Sequence, residues 1–257
     1  MGETWTLFDR LADRYDEVIP FFAELATRTL DVVGPSAGDR LLDIGTGRGA
    51  IAVAAAARGC VVTATDAAPR MIERLSAGYP ELDARVMDAH GLDFPDASFD
   101  LATGGFMIHL VSDPVRVLAE LRRVIRPGGL VALTGPGDCE DDGRWDGFHE
   151  LVGEYGQRVD TSHFPAKPFE LDQVTEAGFT GLTTTEIEVH LPVPDPQTCW
   201  DFHMSHGFAG FVESLSPADA AEFREKALAE FARMHANGGI IVDRGAVVHV
   251  ARVPAGS

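Results

Sequence analysis

A doubly wound α/β fold, with a parallel sheet covered by helices on both faces, is predicted by three observations. From Leu41 onward, short β-friendly apolar runs alternate with helical patterns. The connections between them are short, which demands parallel strands with crossover helices. The first run, Leu41 to Ile44, passes through glycines at 45, 47 and 49 into the alanine-rich stretch Ala50 to Ala57. That sequence reads as strand, tight turn and helix, and the helix N-terminus offers unpaired N–H groups to a negative ligand group.

In chain order, two helical patterns come first, Thr4 to Asp16 and Ile19 to Val33. The first sets Leu7, Phe8, Leu11 and Tyr15 on one face. After the first strand and its helix, Val61 to Thr65 is a second strand ending at Asp66, followed by a helix from Pro69 to Ser76. A third strand, Ala84 to Met87, ends at Asp88, and a fourth runs from Phe99 to Gly104. Asp113 and Pro114 are N-cap and N1 of the next helix, which stops at Arg126 to Gly129 before a fifth strand, Leu130 to Thr134. Beyond Gly135 the pattern loosens: an amphipathic segment near Trp145 to Gln157, a proline-punctuated link, a helix at Glu170 to Ala177, a strand at Leu182 to Leu191, helical sequence from Gln197 to His235, and a last strand at Ile240 to Val250.

The 257 residues, 45% of them hydrophobic, suit one domain with an appended cap. Apolar runs are too short to span a bilayer and the N-terminus lacks a leader's apolar core, so a cytoplasmic protein without a membrane partner is expected. A net charge of −19 argues against nucleic acid as a partner. Cys60, Cys139 and Cys199 lie far apart, without metal-ligand spacing. Asp138, Glu140, Asp141 and Asp142 could be imagined around a divalent ion, but they read as a solvated loop, and no metal is expected.

The strand ends carry the chemistry, because ligands of such sheets sit there. Asp66 lies 21 residues after Gly45, where an acid can accept from both hydroxyls of a ribose. Asp88 is placed to take the exocyclic amine of an adenine. Asp43 stands inside the first strand, where a dinucleotide-binding turn usually has an apolar residue; a ligand with a positive amino group would want an acid there. An acid that merely orders the turn is the other reading of Asp43. Met71 could pad an adenine face or belong to the core.

LLDIGTGRG, the acid of VTATDAAPRM, the MDAHGLDFPDASFD stretch and LRRVIRPGGLVALTGPG together resemble the class I S-adenosylmethionine-dependent methyltransferases, in particular the small-molecule branch similar to ubiquinone and menaquinone enzymes. The matching motifs run from about Leu41 to Pro136. The resemblance implies a Rossmann-like, seven-stranded, mostly parallel sheet whose last strand is antiparallel. It also implies an S-adenosylmethionine site in which the turn Gly45, Thr46, Gly47 and Gly49 holds the methionine part, Asp66 with Ala67 the ribose, and Asp88 with Ala89 the adenine. Tyr15, in the YD pair Tyr15 and Asp16, resembles the tyrosine that closes over the cofactor. Residues 1–38 then form a helical entry segment, 39–135 the cofactor-binding core, and 136–172 and 195–236 the insertions of a helical lid.

Methyl transfer needs nucleophile, carbon and sulfur held near a line in a dry site, and positioning of that kind contributes about 7–11 kcal/mol. The stretch Thr103 to His109 is expected to floor it, with Gly104 and Gly105 leaving room for two substrates. His109 is the first candidate for a base and His206 the second, since an imidazole titrates near neutral pH; a hydrogen-bonded wall histidine is the other reading of His109. Seven of the nine histidines fall after Gly137, which suits a lid with polar anchors. Trp145, Phe148, Tyr155, Phe164, Trp200 and Phe202 are lid candidates, whereas Phe223, Ala227, Phe231 and Met234 have core spacing. The acceptor expected is a small molecule, with O-, N- and C-methylation left open, and the 195–236 insertion could pair across a two-fold. A cyclisation or elimination on the same cofactor fold, a nicotinamide-dependent oxidoreductase and a non-enzymatic binding module are the alternatives.

Overall fold

The computed structural model describes residues 5–159 and 169–255. In it, seven strands form one sheet in the order β3-β2-β1-β4-β5-β7-β6. The strands are β1 (Arg40–Ile44), β2 (Val61–Asp66), β3 (Asp83–Val86), β4 (Phe99–Gly105), β5 (Ile125–Gly137), β6 (Thr180–Val193) and β7 (Ile240–Arg252). The pairs among β1 to β5 are parallel, while β7 lies antiparallel between β5 and β6. The order reverses at β1, from which the chain builds outward first through β2 and β3 and then through β4. Helices between parallel strands must pack back on the sheet, and here they do so on both faces.

On one face lie α2 (Phe21–Val33), α3 (Ala50–Ala57) and α4 (Pro69–Gly78), which bury Leu30, Ile51 and Leu75 against Leu41, Val62 and Ala132. On the other, α5 (Pro114–Val124) buries Leu118 and Leu121 with α7 (Asp172–Glu176) against Leu42, Ile44 and Leu133. Alternation along each strand separates the two sets.

The third cluster is the cap. It joins α6 (Asp146–Gly156), α8 (Pro196–Met204), α9 (Phe208–Glu213) and α10 (Pro217–Ala236) to the extended ends of β6 and β7. Phe223, Ala227 and Phe231 are fully buried, as their spacing predicts, and so are Trp145 and Tyr155. The lid aromatics therefore share one core with α10. Phe164 lies outside the described residues. The helical sequence from Gln197 breaks into three helices, with Asp195 and Ser216 accepting from the backbone as N-caps of α8 and α10.

The entry segment departs from the periodicity. Helix α1 (Trp5–Leu11) ends one turn early, and Asp16 adopts φ 54°. Tyr15 thus sits in a turn, although its spacing from Leu11 is helical. Among the described residues, no helix is long and apolar enough to cross a membrane.

Candidate cofactor and acceptor site

A cleft opens at the carboxyl ends of β1 and β4, between the glycine turn and α2. Its lining includes Tyr15, Asp43, Gly45, Thr46, Gly47 and Gly105, together with Asp16, Phe22, Thr29, Arg48, Phe106 and Thr134. Helix α2 presents Phe22, Leu25, Ala26 and Thr29, one stripe at helical spacing. The hydroxyl of Thr29 is buried there without a partner among the described residues.

Asp43 is buried in β1 and accepts from Thr46 Oγ1 at 2.6 Å and Thr103 Oγ1 at 2.7 Å. Burial pushes its carboxyl up to about 6, against the lowering effect of those hydroxyls. Asp43 thus orders the turn, and it is also a buried acid with no ion-pair partner among the described residues. Asp66 ends β2 and accepts from the backbone N–H of Gly47 and of Ala68, both at 2.8 Å. Burial raises its pKa as well. Asp43, buried at the cleft wall without a countercharge, fits a ligand that brings an ammonium, and Asp66, half-buried behind the Gly47 N–H and not itself bordering the cleft, is an acceptor suited to ribose hydroxyls, so the chemistry of these two acids matches S-adenosylmethionine.

Tyr15 forms part of the cleft wall. Its ring stacks on Phe22 at 4.9 Å and 18°, and its Cε1 lies 3.6 Å from where a Cβ on Gly47 would stand. Burial, then the charges of Asp16 and Asp66, keep its phenol protonated. Arg48, inside the glycine turn, donates to the Tyr15 carbonyl and to Glu17, both at 2.7 Å.

The glycines also serve packing. A Cβ on Gly45 would stand 2.6 Å from Met107 Cβ, and one on Gly49 would run into Leu75 Cδ1, so both turns are pressed against side chains. A Cβ on Gly104 would stand 3.0 Å from Leu133 Cδ2, and one on Gly105 3.0 Å from Ile51 Cδ1. Gly105 still borders the cleft; its missing side chain serves the packing of α3. Met71 is buried with Ala12 and Ala68 beneath Tyr15. Ala67 lies in the turn between Asp66 and α4. Asp88 is exposed and held by His90, whose Nδ1 is 2.6 Å away, and Ala89 is buried beside Leu92; neither borders the cleft.

The two histidines lie apart. His109 packs its Nε2 against Gly135 and its ring edge-on to Phe169. Since Thr134 points into the cleft, its neighbour Gly135 points to the opposite face, so His109 does not line the cleft. Its Nε2 is buried with no partner among the described residues, and burial lowers its pKa. His206 is nearer, packing on Phe22 at 6.0 Å and Phe202 at 4.7 Å, with Nδ1 2.7 Å from the Phe202 carbonyl. Burial lowers its pKa to about 4, so it is neutral, with Nδ1–H donating and Nε2 the acceptor.

Sequence reasoning passed over Thr134, and it named Thr103 only as part of the floor, without its bond to Asp43. Both lie one strand away from the groups they serve, and no local signal marks them. Phe106, named only as part of the floor, has φ 54° and a backbone N–H 3.1 Å from Thr134 Oγ1, and it joins the cleft to the cap cluster.

Residues 42–133 match the methyltransferase domain family. Nocamycin O-methyltransferase of Saccharothrix syringae is 30% identical over 272 aligned positions, spanning 95% of this chain and 96% of that protein. Aklanonic acid methyltransferase of a Streptomyces species is 37% identical over 139 residues, 50% of this chain and 63% of that one. Among solved structures, the [4+2]-cyclase SpnF superposes with a TM-score of 0.57 at 21% identity, covering 91% of this chain and 82% of that one; this likeness is one of fold.

Proposed function

Because the chain belongs to the class I S-adenosylmethionine-dependent methyltransferases, we propose that it methylates an oxygen of a small, largely apolar acceptor that enters beneath the cap. The observation that carries this reading is the continuity of the cleft with the aromatic cap through Phe22 and Phe106. Transfer to oxygen is favoured by the near full-length similarity to an O-methyltransferase.

Bound in the cleft, S-adenosylmethionine supplies an electrophilic methyl group for in-line attack. Asp43 and the Thr46 turn would hold the amino group, Asp66 the ribose hydroxyls, and Tyr15 would cover them. Phe22 and Phe106 would exclude water and pack against the acceptor's apolar body, and positioning of that kind contributes to the acceleration. His206 lies behind Phe22 without bordering the cleft, and its pKa of about 4 makes it a poor proton acceptor, so neither histidine singled out in the sequence is assigned as the base. The protein acts in the cytoplasm on free metabolites under this reading, without nucleic acid.

The test begins with calorimetric titration by S-adenosylmethionine and its demethylated product, on the natural chain and on Asp66→Ala. Micromolar binding abolished by the substitution supports the assignment. Acceptors are then screened by mass spectrometry, where a gain of one methylene unit marks transfer. A product of unchanged mass would point to cyclisation or elimination, and an absorbance change with NADH and no heat with either sulfonium or thioether would sink the proposal.

A further inference from the structure

We propose that Cys139, Glu188 and His190 form a binding site for a zinc-class divalent cation at the outer side of the cap. The site is independent of the cofactor cleft and of the methyl-transfer reading.

The backbone places these residues together. Glu188 and His190 are two apart on β6 and so share a face of the sheet. Glu188 pairs with Gly245 of β7, and Gly137, at the end of β5, pairs with the same Gly245 from the other side. Gly245 has no side chain, and the Asp138 backbone lies directly where its Cβ would be. A residue with a Cβ at 245 would push that backbone away. With glycine there, the chain leaving β5 crosses toward β6 and delivers Cys139 beside Glu188 and His190. Their ligand atoms all lie within 4.8 Å of one another.

The separations suit a small tetrahedral ion. His190 Nε2 and Glu188 Oε2 are 3.4 Å apart. Zinc bonds of about 2.0–2.2 Å to nitrogen and oxygen give a tetrahedral edge of about 3.4 Å, and the edges to sulfur are about 3.5–3.8 Å. The thiol therefore has to approach by about 1 Å or less, a side-chain rotation for a partly exposed cysteine. A thiolate, an imidazole and a carboxylate select zinc or cobalt over magnesium or calcium, which prefer all-oxygen ligands.

The groups behind the ligands favour the same reading. His190 Nδ1 is 2.7 Å from Asp243 Oδ1, and Asp243 is 5% exposed, its other oxygen bound by Arg144. A carboxylate fixed in this way holds the ring, leaves Nε2 turned toward Glu188, and makes the imidazole a better ligand. A surface ion pair between Glu188 and His190 requires none of this. The four acids of the 138–142 loop are not ligands; the loop contributes its cysteine. Three protein ligands leave a fourth position for water, and the ion would pin the loop after β5 to β6.

The full-length protein, stripped of metal with a chelator, is titrated with Co²⁺ and then Zn²⁺. One equivalent of Co²⁺ is expected to give a thiolate-to-cobalt charge-transfer band in the near ultraviolet and the strong visible bands of a four-coordinate ion, both bleached by Zn²⁺. Cys139→Ser removes the charge-transfer band, and Cys199→Ser, at a buried cysteine, leaves it. Glu188→Gln and His190→Gln weaken Co²⁺ by more than about tenfold, with unchanged calorimetric binding of S-adenosylmethionine as a folding control. Should His190→Gln fail to fold, the two exposed-side variants Cys139→Ser and Glu188→Gln decide. Absence of stoichiometric uptake, or a charge-transfer band that survives Cys139→Ser, overturns the proposal.

Discussion

Asp43 and Thr103, on adjacent parallel strands, are joined by a 2.7 Å hydrogen bond in which the threonine hydroxyl donates to a fully enclosed carboxylate. With Thr46 on its other oxygen, the acid is held rigid before any ligand arrives. Pre-organised charge is worth most where water is excluded, and the consequences of this pair can be measured.

Asp43→Asn keeps the shape and removes the charge, and the two hydroxyls can rotate to suit an amide. Cofactor affinity is expected to fall by roughly 10- to 100-fold, the equivalent of a lost charge-assisted bond of about 1.5–3 kcal/mol. The cofactor-free protein should lose little thermal stability, because a buried carboxylate without a countercharge is itself costly. Calorimetry and thermal unfolding of the same preparation check both.

Burial raises Asp43 to about 6, so its charge is lost as pH falls through that value. S-adenosylmethionine affinity is expected to drop between pH 7 and pH 5 in the natural chain, and to stay flat across that range in Asp43→Asn. A parallel decline in both proteins would assign the effect to another group.

Histidine 206 titrates the other way. Its folded pKa of about 4 lies below the ordinary 6.5, so between these values the unfolded chain binds the extra proton. Its contribution to stability is therefore present in full above pH 6.5 and is lost as pH falls toward 4, to a limit of about 3 kcal/mol. Replacing it with glutamine should flatten the fall in urea midpoint between pH 7 and pH 4.5.

Tyr15→Phe retains the stack on Phe22 and should bind the cofactor within about threefold of the natural chain, whereas Tyr15→Ala removes a ring contact of about 0.5–1.5 kcal/mol and its burial. Calorimetric titration of the pair separates ring from hydroxyl: equal losses would mean that the phenol, held protonated by its surroundings, matters more than the stack.

Gly49→Ala should destabilise by about 2–4 kcal/mol, combining a φ of 88° with a collision against Leu75. Gly47→Ala, at φ 56° and with only an ordinary 3.6 Å contact to Tyr15, should cost about 1–2 kcal/mol of stability. Urea unfolding without cofactor gives the comparison.

The sheet could be read in advance because alternation, turn glycines and caps are local signals, and the β1 turn with Asp66 follows from them directly. Contacts across the fold could not. The side chains that forbid a Cβ at Gly45 and Gly49 are Met107 and Leu75, one beyond β4 and one on α4, and no local motif marks either. Tyr15 keeps helical spacing from Leu11 although α1 ends there, because an apolar period does not show where helical hydrogen bonding stops. The position of His109 just after a strand end suggested a place in the cleft; which face of β5 it meets depends on the register of Thr134 and Gly135, which no short stretch encodes.

The placement of β7 between β5 and β6 also sets an order of assembly. Among the described residues strand β6 pairs with β7 alone, yet it is made first, separated from its partner by the cap helices α8, α9 and α10. Until residues 240–252 arrive, its backbone groups face water and the cap lacks Ile240, Val242 and Ala246. The two sheet clusters also lack Val248, Ala251 and Val253 until then, and the outer edge of β5 is unpaired, so the last strand completes both halves of the molecule at once and the 14-residue β6 is an open edge until it does.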